Sequence, residues 1–223
     1  MNNLAINSIT PYTLEAYSGI PSAIVWFSTC NLNCQICDNP NLLKKKGIMK
    51  ISEVIAYLKT QKEKLKGIVL SGGEATISRQ VIMLCNGIKE LGFLVKLETN
   101  GTNPKVLQYL IDKKLINYVS LDFKSNQENY VKITGSKKSF YVNTLKSFKL
   151  LNRSKIDFEI KTTLHGELLH NKELLEIIKL FEKLKYQGHY YIHALDGVHV
   201  KLDKEELIAE GKKHNIIVGF KNI

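Results

Sequence analysis

The sequence predicts an α/β fold built on parallel strands, and three observations lead there. Strand-like apolar runs alternate with segments whose apolar residues recur at helical spacing, six times over. No internal repeat, low-complexity tract or linker interrupts that alternation. The residues with chemistry to offer fall just after the strand-like runs. Alternation of this kind builds parallel strands joined by crossover helices, and such folds gather their ligand sites at the carboxyl ends of the strands. Six units are too few to close an eight-unit barrel, and 223 residues suit one α/β domain spanning 1–223.

Residues 1–20 form an N-terminal extension, a strand or loop carrying Tyr12 and Tyr17 and ending in the Gly19-Ile-Pro21 break. The strand-like runs are Ala23–Phe27, Gly67–Ser71, Phe93–Thr99, Tyr118–Phe123, Phe158–Thr163 and Tyr190–Leu195. Helical patterns lie between and after them at 51–65, 78–91, 104–114, 139–151, 171–185 and 203–213. In order, the strand ends present Cys30, Gly72-Gly73-Glu74, Glu98-Thr99-Asn100-Gly101, Asp122-Phe123-Lys124, Lys161-Thr162-Thr163 and His193.

Composition narrows the function classes. The formal net charge is +11, but the lysines are scattered. Clusters such as Lys44-Lys45-Lys46 and Lys62/Lys64/Lys66 are not interleaved with aromatics, and no nucleic-acid motif accompanies them. They read as solvated helix faces, with docking of an acidic electron donor as the alternative. No stretch approaches the ~18 apolar residues of a membrane span, and Met1-Asn-Asn-Leu-Ala5 lacks the basic and apolar regions of a signal peptide. Of the four cysteines, three fall within Cys30–Cys37, which suits a metal in a reducing compartment better than a disulfide framework. The expected location is the cytoplasm.

Cys30, Cys34 and Cys37 form a C-x3-C-x2-C loop after the first strand, within a loop spanning 29–43. Clustered thiolates select zinc, Cu(I) or iron-sulfur centres over hard cations. A structural zinc site is almost always closed by four ligands. The remaining cysteine, Cys85, shares a helical face with Val81, Leu84 and Ile88 and reads as a buried thiol. Three ligands around a cube of four irons would leave one iron open, as a catalytic metal requires.

That spacing after a strand, followed by Ile68-Val-Leu-Ser71 running into Gly72-Gly73-Glu74, resembles the radical S-adenosylmethionine (radical SAM) enzymes. The resemblance implies a partial (β/α)6 barrel, a [4Fe-4S] cluster on Cys30, Cys34 and Cys37, and SAM chelated on the open iron. Gly72, Gly73 and Glu74 resemble the motif holding the methionine amino group. Paired glycines let backbone approach a ligand closely and leave N–H groups for it. Glu98-Thr99-Asn100-Gly101 and Asp122-Phe-Lys124 resemble the D/E-T-N-G and D-x-K segments of glycyl-radical-enzyme activating enzymes, placing Thr99, Asn100, Asp122 and Lys124 at the cofactor. The resemblance implies that Glu98 and Asp122 can share a monovalent cation, since two carboxylates facing one pocket need a cation or a proton. Ile36 and Asp38 flank the third cysteine on the cofactor side, in place of the usual aromatic and of Cys-His-Asn, and Ala75 replaces the proline of Gly-Gly-Glu-Pro. Lys161 stands where relatives carry arginine, and His193 lies on a strand that bears a SAM-contacting histidine further on in some activators; neither is given a role. His165, His170, His189, His199 and His214 have no ligand spacing and read as surface or packing residues.

Within the family the chain resembles the anaerobic ribonucleoside-triphosphate reductase activating proteins, through Thr13–Tyr17, Cys37–Leu42, Gly92–Gly101 and Tyr130–Gly135. This implies reductive cleavage of SAM to a 5′-deoxyadenosyl radical, a glycyl radical enzyme as protein substrate, and a flavodoxin- or ferredoxin-type electron donor. Cys37-Asp38 also resembles the 7-carboxy-7-deazaguanine synthases, which act on a pterin and need Mg2+. The non-enzyme alternative is a zinc- or cluster-binding interaction module.

Overall fold

The computed structural model describes residues 5–136, 140–195 and 201–222. In chain order they form β1 (Ile6–Thr13), β2 (Ser22–Phe27), α1 (Pro40–Leu43), α2 (Ile51–Thr60), β3 (Gly67–Gly72), a 3-10 turn (Ala75–Ile77), α3 (Gln80–Glu90), β4 (Leu94–Thr99) and α4 (Pro104–Asp112). There follow β5 (Tyr118–Asp122), α5 (Tyr130–Thr134), α6 (Tyr141–Arg153), β6 (Asp157–Thr163), α7 (Asn171–Lys183), β7 (His189–His193), α8 (Lys204–Lys213) and β8 (Ile217–Lys221). The strands follow chain order in an eight-stranded sheet. β2, β3 and β4 pair in parallel, as do β6, β7 and β8, while β1 runs antiparallel to β2.

The predicted α/β class holds, and β2 to β7 are the six anticipated strands. Two more lie outside that set. β1 settles as strand the segment read as strand or loop, and β8 follows the last anticipated helix. Pro11 has no N–H for a ladder, and it sits in β1, which ends the strand order; the β1–β2 register slips between Thr10 and Thr13, around it.

Local chemistry sets the helix ends. The glutamate three residues into α2 and into α7 reaches back to the N-cap N–H, Glu53 to Lys50 at 2.8 Å and Glu173 to His170 at 2.9 Å. Asp203 caps α8 by accepting from the Glu206 N–H at 2.9 Å, and α4 opens on Pro104. At their other ends α4, α7 and α8 turn into strand through Lys114, Lys185 and Asn215, each at positive φ. The residue after each returns an N–H to the carbonyl five residues back, as Tyr186 does to Phe181 at 2.9 Å.

One compact unit comprises Met1–Asn31, Asn39–Thr99 and Asn103–Val119. Its core joins Val25 and Phe27 of β2, Ile68 and Leu70 of β3, and Val95 and Leu97 of β4 to Val54 and Leu58 of α2 and to Val81, Leu84, Cys85 and Ile88 of α3. Cys85 is therefore the buried thiol that its helical face predicted, and burial pushes it up to about 12. Lys44, Lys45, Lys46, Lys62, Lys64 and Lys66 are exposed, but they lie in the turns and loops after α1 and α2 and not on the helix faces expected of them, and Lys96 is buried, with its ammonium 5.2 Å from the Tyr118 ring centroid.

The other unit comprises Leu32–Asp38, Asn100–Thr102 and Ser120–Ile223. Its centre is aromatic. Phe181 stacks on Phe148 at 5.4 Å and meets Phe123, Tyr186 and Tyr190 edge-on, while Tyr141 bridges Phe123 to Tyr130. The buried Tyr190 hydroxyl donates to Thr162 at 3.0 Å, and Thr162 in turn donates to the Phe123 carbonyl at 2.7 Å. This chain of bonds ties β7 and β6 to the backbone just beyond β5.

Candidate functional site

In the first unit, β2 leads through Ser28 and Thr29 to Cys30, whose half-buried thiol lies 4.0 Å from Asn31 Oδ1. β3 ends at Gly72, whose φ is +110°. A Cβ on Gly72 would stand 2.4 Å from the Phe27 carbonyl oxygen, and one on Gly73 would stand 2.0 Å from that of Thr29. The glycines are thus required by the backbone leading to Cys30. The Gly73 N–H donates to Phe27 O at 2.7 Å and the Glu74 N–H to Thr29 O at 2.6 Å. The Gly73 N–H, expected to wait for a ligand, and that of Glu74 are thus taken by the strand end that carries Cys30.

Glu74 is fully buried. Its Oε1 accepts from the Thr76 N–H at 3.0 Å, the Thr76 hydroxyl at 2.6 Å and the Thr99 hydroxyl at 2.8 Å. Two of the anticipated residues, Glu74 and Thr99, therefore meet. Glu98 accepts from the Ser71 hydroxyl at 2.6 Å.

In the second unit, Asn100 closes a turn on itself, its Oδ1 accepting from the N–H and hydroxyl of Thr102 at 3.0 and 2.6 Å. Side chains of α6 hold that turn by its carbonyls: Thr144 donates to Asn100 O at 3.0 Å, Ser147 to Gly101 O at 2.6 Å and Asn143 to Thr102 O at 3.1 Å. Three polar residues facing one way from a helix gave no sign of this in the sequence.

At the end of β5, Asp122 Oδ2 binds Lys124 Nζ in a close ion pair. Asp122 Oδ1 is buried and is the one such side-chain atom among the described residues without a hydrogen-bond partner. Burial pulls Lys124 down, yet Asp122, with Cys34 and Asp38 adding to it, more than offsets that and holds Lys124 above the ordinary lysine range. Burial pushes the Cys34 thiol up and Lys124 pulls it back, while Asp122 and Cys37 push it up further. Cys37 and Ile36 are half-buried.

Asp38 takes Lys161 Nζ at 3.3 Å on one oxygen and the Thr163 hydroxyl at 3.5 Å on the other. Burial pushes its carboxyl up, but Lys161, Lys124 and His193 together hold it below the usual range. His193 is held below its ordinary 6.5, first by burial and further by Lys161 and Lys221, against the pull of Asp38 and Asp122. Lys161 and His193, which the sequence left without roles, thus converge on the residue that follows the third cysteine.

His165, read from the sequence as surface or packing, is buried and bonded to Gln35 of the cysteine loop at 2.7 Å. The partners lie 130 positions apart, a separation that no local pattern discloses. His199 lies outside the described residues.

Three reduced, half-buried thiols supply soft donors, and the unpartnered oxygen of Asp122 supplies an acceptor for a bound group. Taken residue by residue, Cys30 in the first unit and Cys34, Cys37 and Asp122 in the second have the donor chemistry that an iron-sulfur centre and a polar organic ligand call for. Among the described residues no three His, Cys, Asp or Glu side chains form a ready-made metal site. No helix among them is long and apolar enough to cross a membrane.

Comparison with known proteins draws these features together. The family model of the Radical SAM superfamily matches residues 24–181. A protein of Methanocaldococcus jannaschii that carries the name of a glycyl-radical enzyme activating enzyme is 31% identical over 182 residues, covering 78% of this chain and 74% of that one. The 7-carboxy-7-deazaguanine synthase of Clostridium acetobutylicum is 30% identical over 187 residues, covering 81% of this chain and 75% of that one. Among solved structures, Streptococcus suis SuiB bound to its precursor peptide SuiA superposes with a TM-score of 0.71 at 16% identity. The match covers 89% of this chain but 47% of SuiB, so this chain spans about half the length of that neighbour, and the likeness concerns the fold. The mostly parallel sheet is that of a partial radical SAM barrel, and the chain belongs to the Radical SAM superfamily of enzymes.

Proposed function

We propose that the chain is a glycyl-radical-enzyme activating enzyme whose protein substrate is an anaerobic ribonucleoside-triphosphate reductase. The observation that carries this reading is the likeness to the archaeal protein with an activating-enzyme name, which extends through 74% of that protein and so reaches well beyond the cysteine loop. The choice of reductase rests on Thr13–Tyr17, Cys37–Leu42 and Tyr130–Gly135, which resemble its activating proteins.

When bound, a [4Fe-4S] cluster and SAM would supply one-electron reductive chemistry, the electron coming from an external donor, that ends in removal of a hydrogen atom from a glycine Cα of the partner. Cys30, Cys34 and Cys37 would serve as the thiolate ligands, and Lys124, kept charged by Asp122, works against the burial that raises the Cys34 thiol. Glu74, fixed by Thr76 and Thr99, is the countercharge for the methionine amino group. In the second unit, Asp122 Oδ1, buried and without a partner, would offer an acceptor to a bound group, and the half-buried Ile36 would offer apolar surface. Asp38, held by Lys161 and Thr163, keeps the cysteine loop from turning away. An acidic flavodoxin- or ferredoxin-type donor suits the net charge of +11.

A second reading, a 7-carboxy-7-deazaguanine synthase, is favoured by Asp38 after Cys37 and by the relative covered to 75% of its length. Anaerobic reconstitution followed by dithionite and SAM separates the two. The activating enzyme yields a glycyl-radical electron paramagnetic resonance (EPR) signal on an added reductase and is indifferent to 6-carboxytetrahydropterin. Formation of 5′-deoxyadenosine that requires the pterin and Mg2+ would overturn it in favour of the synthase.

A further inference from the structure

The middle of the cysteine loop is gripped from two sides by segments to which the proposed chemistry gives no part. On one side, α5 hands its last carbonyls to the loop: Asn33 N–H donates to Thr134 O at 2.9 Å and Gln35 N–H to Ile133 O at 3.0 Å. Gly135 follows at φ +57°, so close that a Cβ there would stand 2.1 Å from the Asn33 carbonyl oxygen. On the other side, His165 Nδ1 accepts from the Glu167 N–H at 3.3 Å, which puts the ring hydrogen on Nε2, and Nε2 donates to Gln35 Oε1 at 2.7 Å. The two sides are themselves joined. Asn129 Nδ2, at the start of α5, donates to Leu168 O at 2.9 Å, and the Leu168 N–H donates to His165 O at 3.0 Å. The bonds form a closed ring from the cysteine loop through α5, Asn129 and His165 back to the loop, and its anchors Tyr130, Ile133, Thr134 and His165 are all buried.

We propose that this ring is a brace for the metal-binding loop, in which Gly135 and His165 are positioning residues that set how firmly the loop retains its cluster. A loop of short, part-exposed residues has little packing of its own to hold Cys34 and Cys37 at ligand distance. Two backbone bonds and one side-chain bond from a buried frame supply that restraint before iron arrives. The inference rests on the assignment of Cys30, Cys34 and Cys37 as ligands. Its test therefore reads iron itself.

The measurement is the anaerobic rate at which a ferrous chelator removes iron from the reconstituted protein. His165→Ala and Gln35→Ala should each speed release roughly two- to fivefold, as the loss of one part-exposed hydrogen bond allows. The double variant should be no faster than the faster single, because both remove the same bond. Gln35→Glu, which keeps an acceptor for Nε2, should release at the wild-type rate, and the apoprotein melting temperatures of the two variants at the exposed Gln35 should match wild type. Gly135→Ala should release iron fastest, since the new methyl displaces Asn33; where that variant does not fold, the other pair decides. Wild-type release rates in both alanine variants, multiplicative effects in the double, or a fall in apoprotein stability in Gln35→Ala that matches its faster release would overturn the brace alone. A wild-type chain that takes up no iron would overturn the ligand assignment and the brace together.

Discussion

Single side chains here are used mainly to hold charge in place. Glu74 is buried with three donors on one oxygen, one of them the Thr99 hydroxyl. Thr99→Val keeps shape and removes that donor from a buried carboxylate, so it should cost about 1.5–3 kcal/mol in urea unfolding; a loss below about 0.5 kcal/mol would mean that Thr76 alone satisfies Glu74. His193 offers a pH signature. Held below its ordinary 6.5 by burial and Lys161, it binds fewer protons folded than unfolded, so its contribution to stability is present above 6.5 and is lost as pH falls toward the depressed value. The stability of wild type minus that of His193→Gln should therefore fall between pH 7 and pH 5.5, and a difference that stays flat would assign His193 an ordinary pKa. The sequence disclosed Glu74 and Thr99 as candidates, because each sits in a recognisable motif. It did not disclose that they touch, nor that Lys161 and Thr163 hold Asp38, because those contacts join strand ends far apart in the chain.

At the scale of elements, periodicity located β2 to β7 and the six longer helices, each by a pattern long enough to show its repeat. What it missed is short or at an end. α5 has five residues, fewer than two helical turns, and β8 is a five-residue strand after the last helix. The predicted helix over 51–65 stops at Thr60, since the carboxyl end of a pattern blurs into the following turn. Helix exits supply a direct test. Lys185 leaves α7 at φ +57°, a conformation that hinders any residue with a Cβ by about 1–2 kcal/mol. Part of that is returned by the freedom glycine has in the unfolded chain, so Lys185→Gly should raise stability by about 0.5–1 kcal/mol in denaturant titration. A destabilised variant would show that the lysine side chain contributes more than its backbone strain removes.

For the molecule as a whole, family and fold agree while the reaction partner remains the proposed step. The match over residues 24–181 takes in the cysteine loop, the Gly-Gly-Glu turn and the ends of β4, β5 and β6. That is why motif and fold were legible together. A feature that the sequence did not disclose is a structural use of the paired glycines. They accommodate the chain's own backbone at Phe27 and Thr29, and only a folded chain shows which surface a missing Cβ leaves room for. If Cys30, Cys34 and Cys37 hold a cluster that cleaves SAM, as proposed, the amount of 5′-deoxyadenosine formed reports it. Anaerobically reconstituted wild type and Cys85→Ala should each bind about four irons and release 5′-deoxyadenosine on addition of dithionite and SAM. Alanine at Cys30, Cys34 or Cys37 should abolish both. A wild-type chain that binds metal through the same three cysteines yet forms no 5′-deoxyadenosine would contradict the account and leave a metal-binding interaction module in its place.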